Sequence, residues 1–129
     1  IAGGIGISPF RGMIRYAADR GLRNRIALLY AARTPDEFAF RRELDALATS
    51  WGNLTVRYTV TRPSQSDEPW GGHVGRIDKE MIVEARTGLE SPMYYICGTP
   101  GMVGATATLL VRRLGVPQDD VRIERFMGY

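Results

Sequence analysis

Two glycine-rich stretches in this chain carry residue types suited to holding an anion. The first, IAGGIGISPF at residues 1–10, places Gly3, Gly4 and Gly6 ahead of Ser8 and Pro9. Glycines let backbone N–H groups approach a ligand closely, Ser8 adds a hydroxyl, and the amphipathic run behind points a helix N-terminus at the loop. Gly4-x-Gly6 matches the start of a G-x-G-x-x-G loop, but Pro9 stands where the third glycine belongs. Proline is tolerated there, because first-turn N–H groups have no intrahelical partner. On this stretch alone, a phosphate loop and a plain strand-to-helix turn both stay open.

The second stretch, CGTPGM at residues 97–102, repeats that logic: an apolar run enters glycine, proline and a helical pattern. Cys97 closes the apolar run. It reads either as an inert small hydrophobe or as a thiol at the mouth of a cleft, positioning a flat ring. His73 lies in a long loop with no evident carboxylate partner, so a Cys–His nucleophile is not indicated. Arg33, in YAARTPDE, stands where an acidic residue would hold a ribose diol, and suits a phosphate or plain solvent. Thr61 and Arg62 end a later strand on the same edge, where the two arginines, Arg33 and Arg62, and the Thr61 hydroxyl would form a phosphate clamp.

The elements that must position these groups alternate in hydrophobic period. Residues 10–20 set Phe10, Met13, Ile14 and Ala17 on one helical face, ended by Gly21. Residues 25–32 form a continuous apolar run, the pattern of a strand buried on both faces. The spacing predicts one helix over 34–52, capped by Thr34, with Phe40, Leu44, Leu47 and Ala48 inward. A strand at 54–60, an irregular stretch at 62–76, a short helix near 78–86 and a strand at 93–97 follow. A helix over 98–115, with Met102, Ala105, Leu109 and Leu110 inward, and a strand at 121–126 close the chain. The alternation predicts an α/β fold with a doubly wound parallel sheet. Only Ile1 and Ala2 are left for the strand that should enter the first turn. The domain therefore reads as cut from a longer chain, with backbone at the sheet's centre left unpaired.

Bulk composition narrows the function classes. The 129 residues suit one domain, and 44% hydrophobic with 24% charged residues is ordinary for a soluble globular protein. The net charge of +3 is mild and the arginines scatter, which argues against nucleic-acid binding. No run is long enough for a membrane span and nothing resembles a signal peptide. One Cys and one His exclude an internal disulfide and make a zinc site improbable. These features predict a cytoplasmic protein.

Taken in order, GGIGISPFRGM, YICGTPGMV about 90 residues later and the terminal ERFMGY resemble the nicotinamide-binding domain of the ferredoxin–NADP reductase-like flavoproteins. That group includes bacterial oxygenase reductases, flavohaemoglobins and cytochrome b5 reductases, and the resemblance spans essentially the whole chain. It implies a five-stranded parallel sheet binding NADP or NAD across residues 1–129. A β-barrel carrying FAD or FMN would lie upstream and outside this sequence. The resemblance puts Gly3, Gly4, Gly6, Ile7, Ser8 and Pro9 at the pyrophosphate. It puts Cys97, Gly98, Thr99 and Pro100 beside the nicotinamide, with the thiol near the hydride-donating carbon, and makes Met102 a further cofactor-binding residue. Glu124 and Phe126 would face the flavin.

The implied activity is hydride transfer from NAD(P)H to FAD or FMN, then single electrons to a ferredoxin, iron–sulfur or haem acceptor. A nucleotide-sensing module without turnover is the alternative. Departures from the family pattern are Ser8 where Thr is commoner and Thr99 where Pro is commoner. Thr61-Arg62 resembles the Ser-Arg pair of strict NADP enzymes, but GGHVGRI does not supply their Lys-x-Tyr. With Arg33 to compensate, the lean is to NADPH. No residues here are placed to bind a flavin, so the chain alone is expected to be colourless and inactive towards dyes.

Overall fold

The structure, a computed structural model, describes residues 1–125. Its elements run β1 (Ala2–Gly3), α1 (Ile7–Asp19), β2 (Ile26–Ala32), α2 (Arg41–Ser50), β3 (Leu54–Val60), β4 (His73–Val74), α3 (Lys79–Arg86), β5 (Tyr94–Gly98), α4 (Pro100–Thr108) and β6 (Val121–Arg125). All strand pairs are parallel, in the order β4-β3-β2-β1-β5-β6. The sheet is doubly wound, as the alternation predicts, but among the described residues it has six strands where five were expected. The additional strand, β4, lies within the stretch read as irregular. Its two residues pair with Thr59 and Val60, too short a match to leave a periodic signal.

Helices cover both faces, and strand alternation divides the core between them. Leu28, Tyr30 and Ala32 of β2 face Phe10, Ile14, Leu44 and Leu47 of α1 and α2. Leu29 of β2 and Ile96 of β5 face Met81, Ile82, Val103 and Leu110 on the other side. At the sheet's centre, Ala2 and Gly3 pair with Tyr30 and Ala31 of β2, and Ala2 also pairs with Cys97 of β5. β1 thus fills only the carboxyl end of its slot. A cleft of about 1090 Å³ separates the first halves of β2 and β5 below it.

Three helical stripes differ from their sequence expectation. In α1, Met13 is exposed and Ile7 takes its place among the buried residues. The helix expected over 34–52 is broken: a 3₁₀ turn at Pro35–Glu37 precedes a left-handed Phe40, φ +61°, and α2 starts at Arg41. That break swaps two aromatics. Phe38 is 8% exposed and packs edge-on against Tyr30 and Tyr58, while Phe40 is 43% exposed beneath the Arg11 guanidinium. Beyond Thr108 the last helix widens into a π-helical turn at Leu109–Arg113. Its buried stripe is Val103, Thr106 and Leu110, so Met102 and Ala105 lie to one side. The stretch is apolar all round, and periodicity alone does not single out a face.

Both glycine turns meet at one contact. A Cβ on Gly6 would overlap the Cys97 carbonyl oxygen, and would stand 2.6 Å from its carbon and 2.9 Å from the Gly98 nitrogen. All three are backbone atoms that no rotamer change can move. Gly12, by contrast, sits in α1 with nothing within 4 Å of such an atom. Gly6→Ala is therefore expected to cost about 3 kcal/mol, whereas Gly12→Ala should stabilise by roughly 0.5–1 kcal/mol. Urea denaturation of both variants checks the opposite signs.

Candidate functional site

The carboxyl ends of the central strands open into a cleft of about 810 Å³ on the α3/α4 side of the sheet. Its floor is Gly3 and Gly4 after β1, Ala31 and Ala32 of β2 and Thr61 after β3. One wall is the start of α4, with Thr99, Gly101, Met102 and Ala105; the other is Arg76 and Ile77, leading into α3. Arg33, Glu37 and Ala39 form the rim beyond β2. The volume lies within the range of small-ligand sites, and the carboxyl edge is where open α/β sheets bind ligands.

Local sequence explains how each wall is built. Gly4 adopts φ +57° with nothing within 4 Å of a Cβ position, so its backbone stands bare at the cleft. Thr99 caps α4, its hydroxyl accepting the Met102 N–H at 3.4 Å, and Pro100 takes the first helical position. The N-terminus of α4 therefore opens on the cleft. Gly3 and Gly98 both lie against the Met102 side chain. Such a surface of bare backbone and helix N-terminus fits the pyrophosphate of a dinucleotide.

The predicted site residues divide into two groups. Gly3, Gly4, Arg33, Thr61, Thr99 and Met102 line the cleft. Gly6, Ile7 and Gly98 are buried outside its lining, and Ser8, Pro9 and Pro100 occupy first helical turns. Arg62 is exposed and outside the lining, although its N–H bonds the Arg33 carbonyl at 2.7 Å. The Arg33–Arg62 clamp is thus not assembled. Arg33 itself is 66% exposed and its guanidinium contacts Glu37 at 3.1 Å. Glu37 also accepts the Thr34 N–H at 3.2 Å, which fixes it at the turn.

Cys97 does not stand at the mouth of the cleft. It is 1% exposed, and β5 alternation turns its thiol into the core shared with α1. Burial pushes the thiol pKa up, and the Glu124 carboxylate, paired across from it on β6, adds to the rise. Glu124 is exposed outside the cleft, and Phe126 lies outside the described residues. His73 has the carboxylate partner that its sequence context did not show: Nε2 lies 3.4 Å from Asp78 Oδ2, and Nδ1 lies 2.6 Å from Thr59 Oγ1. Sequence reasoning also missed Glu37, Arg76 and Ile77 as cleft residues. The Asp78 N-cap of α3 was the available signal that the chain returns to this edge just before it.

Comparison with known proteins agrees with this geometry. Residues 1–108 match the Oxidoreductase NAD-binding domain family. The chain belongs to that family, the pyridine-nucleotide domain of ferredoxin–NADP reductase-like flavoproteins. It is 32% identical to Ferredoxin--NADP reductase B of Sorangium cellulosum, covering 98% of this chain and 52% of that protein. It is 37% identical to an NADH-cytochrome b5 reductase-like protein of Arabidopsis thaliana, covering 80% of this chain and 31% of that protein. The solved cytochrome b5 reductase domain of Ulva prolifera nitrate reductase superposes with a TM-score of 0.81 at 27% identity, over 95% of this chain and 46% of that one. The chain thus spans about half or less of these relatives' lengths. Among the described residues no helix is long and apolar enough to cross a membrane.

A neutral, buried thiol should resist alkylation. Iodoacetamide at pH 7 is expected to modify native Cys97 about 100-fold more slowly than the urea-unfolded chain. Mass-spectrometric time courses measure the ratio, and equal rates would place the thiol at the surface.

Proposed function

We propose that this domain binds NADH and presents its nicotinamide to a flavin, FAD or FMN, held by a separate domain. The reduced flavin would pass electrons singly to an iron–sulfur or haem partner, a ferredoxin among the candidates. The observation that carries the reading is the joining of two glycine turns at Gly6, which lays bare backbone and the start of α4 along one cleft. The similarity to a ferredoxin–NADP reductase and an NADH–cytochrome b5 reductase-like protein supports the same reaction class. The coenzyme supplies the hydride when bound. The chain's own contribution is to orient it: Gly3 and Gly4 admit the pyrophosphate, and Thr99 and Met102 bound the nicotinamide end. Cys97 acts from beneath, its backbone setting the turn and its neutral thiol filling the core.

The coenzyme preference turns on Glu37. The sequence lean towards NADPH rests on Arg33 and Arg62 acting together as a phosphate pair. With Arg62 outside the cleft and Arg33 already paired, Glu37 adds a negative charge where a 2′-phosphate would lie and an acceptor for a ribose hydroxyl. NADH is the coenzyme that this arrangement favours.

Calorimetric titration of the chain with NAD⁺, NADP⁺ and 2′,5′-ADP tests both statements. NAD⁺ should bind more tightly, and Glu37→Gln should strengthen NADP⁺ binding about tenfold, a gain of roughly 1.4 kcal/mol. Tighter NADP⁺ binding in the unaltered chain, lost in Arg33→Ala, would reverse the coenzyme assignment. Binding of no dinucleotide at all would overturn the function.

A further inference from the structure

The stretch from Arg62 to Arg76 looks in sequence like a loose connection, yet side-chain ties fasten it at intervals. Ser66 donates to Asp36 at 2.8 Å, a bond that holds the Asp36 carboxyl below the usual carboxylate range. The Trp70 ring lies 5.7 Å from Phe38, with the Arg41 guanidinium 5.3 Å from its centre, and its indole N–H donates to the His73 carbonyl. Asp78 contacts His73 through one carboxylate oxygen and caps α3 through the other, at 2.8 Å from the Met81 nitrogen. The last tie comes from inside the sheet. Thr59, fully buried in β3, donates its hydroxyl to the Gly75 carbonyl and meets His73 Nδ1.

These ties converge on the turn that delivers Arg76. The Gly75 N–H donates to Val60 at 2.9 Å, continuing the parallel pairing of β4. Gly75 then takes φ +123°, a conformation that side chains rarely adopt, and the chain turns along the carboxyl edge. Arg76 and Ile77 arrive there as one wall of the cleft, opposite the start of α4. The charged residues lining the cleft are Arg33, Glu37 and Arg76. Arg33 and Glu37 pair with each other, while Arg76 has no ion-pair partner among the described residues. Among the described residues the cleft therefore holds one guanidinium without an ion-pair partner, on a turn fixed from within the sheet.

We propose that Arg76 holds a phosphate oxygen of the bound dinucleotide, and that buried Thr59 is the residue positioning it. The proposal rests on the nucleotide-binding reading above and names a cation that the reading does not require. A guanidinium facing a phosphate makes charge-assisted hydrogen bonds, so its removal should be felt in affinity and in salt dependence. Thr59 touches no ligand; it acts through Gly75 and His73, and its loss should blunt the same two quantities.

Titration of the full chain with NAD⁺ and NADP⁺ at two salt concentrations tests the assignment. Arg76→Ala should weaken binding about tenfold and flatten the salt dependence, with Arg76→Lys recovering part of both. Equal losses for NAD⁺ and NADP⁺ locate the contact at the pyrophosphate, and a loss confined to NADP⁺ locates it at the 2′-phosphate. Thr59→Val should reproduce the flattened salt dependence and Thr59→Ser should not. His73→Ala, which cuts the same tie from its exposed side, is expected to weaken binding about threefold and decides the point should Thr59→Val fail to fold. Unchanged binding in Arg76→Ala, with the unaltered chain binding normally, overturns this assignment alone. Unchanged salt dependence in a folded Thr59→Val, or unchanged affinity in His73→Ala should that variant not fold, overturns the positioning role. A chain that binds no dinucleotide overturns the functional reading together with it.

Discussion

The whole site depends on one backbone-to-backbone approach, that of Gly6 to the carbonyl of Cys97 and the nitrogen of Gly98. No side chain fits between these segments, so the loop entering α1 lies directly on the end of β5. That contact brings two turns some 90 residues apart in sequence to one edge of the sheet. It also determines what each neighbouring residue does. Cys97 faces the core beside α1, Gly3 and Gly98 lie against Met102, and Gly4 is left uncovered at the floor of the cleft. An anion site made of backbone needs such a surface, because any Cβ projecting into it would hold the ligand away.

Around this contact the charges are arranged in layers. Helix starts supply fixed partial positive charge, Glu37 screens Arg33 at the rim, and Arg76 stands opposite α4. Between these charges the lining is uncharged, with Ala31, Ala32, Met102 and Ala105 among its residues. Polar groups at the ends and apolar walls between suit a molecule with a charged middle and flat rings. The hydroxyl and carbonyls that hold the Arg76 wall in place belong to β3 and the turn after β4, whereas the α4 wall is capped by Thr99 in the cleft lining itself.

Legibility in the sequence followed the range of the interaction. The parallel sheet, the two glycine turns and most strand limits showed directly, since hydrophobic period and glycine placement are local signals. The exchange of Phe38 for Phe40 did not show. It requires a left-handed residue at Phe40, accompanied by Phe38 packing against Tyr30 and Tyr58 that helical spacing does not encode. The strand β4 escaped for a related reason: two residues carry no period, and their pairing is secured by a hydroxyl 14 positions earlier. The end of a strand was legible for Cys97, but the choice between a core filler and a thiol at the cleft mouth was not, because one-residue alternation decides which face a thiol enters. The likeness to a family supplied the cofactor class. Which charges the coenzyme would meet became visible only when Glu37 and Arg76 were seen at the same edge.

Glu37 holds two posts at once. Its carboxylate closes the turn after β2 through the Thr34 N–H, and the same carboxylate restrains Arg33 at the rim. On the coenzyme reading proposed above, a substitution here is consequently pleiotropic: one that releases the cation without replacing the acceptor also loosens the turn that displays it. The substitutions open to a change of coenzyme are then the ones that give up the charge while keeping an acceptor for the Thr34 N–H, so that the turn stays closed.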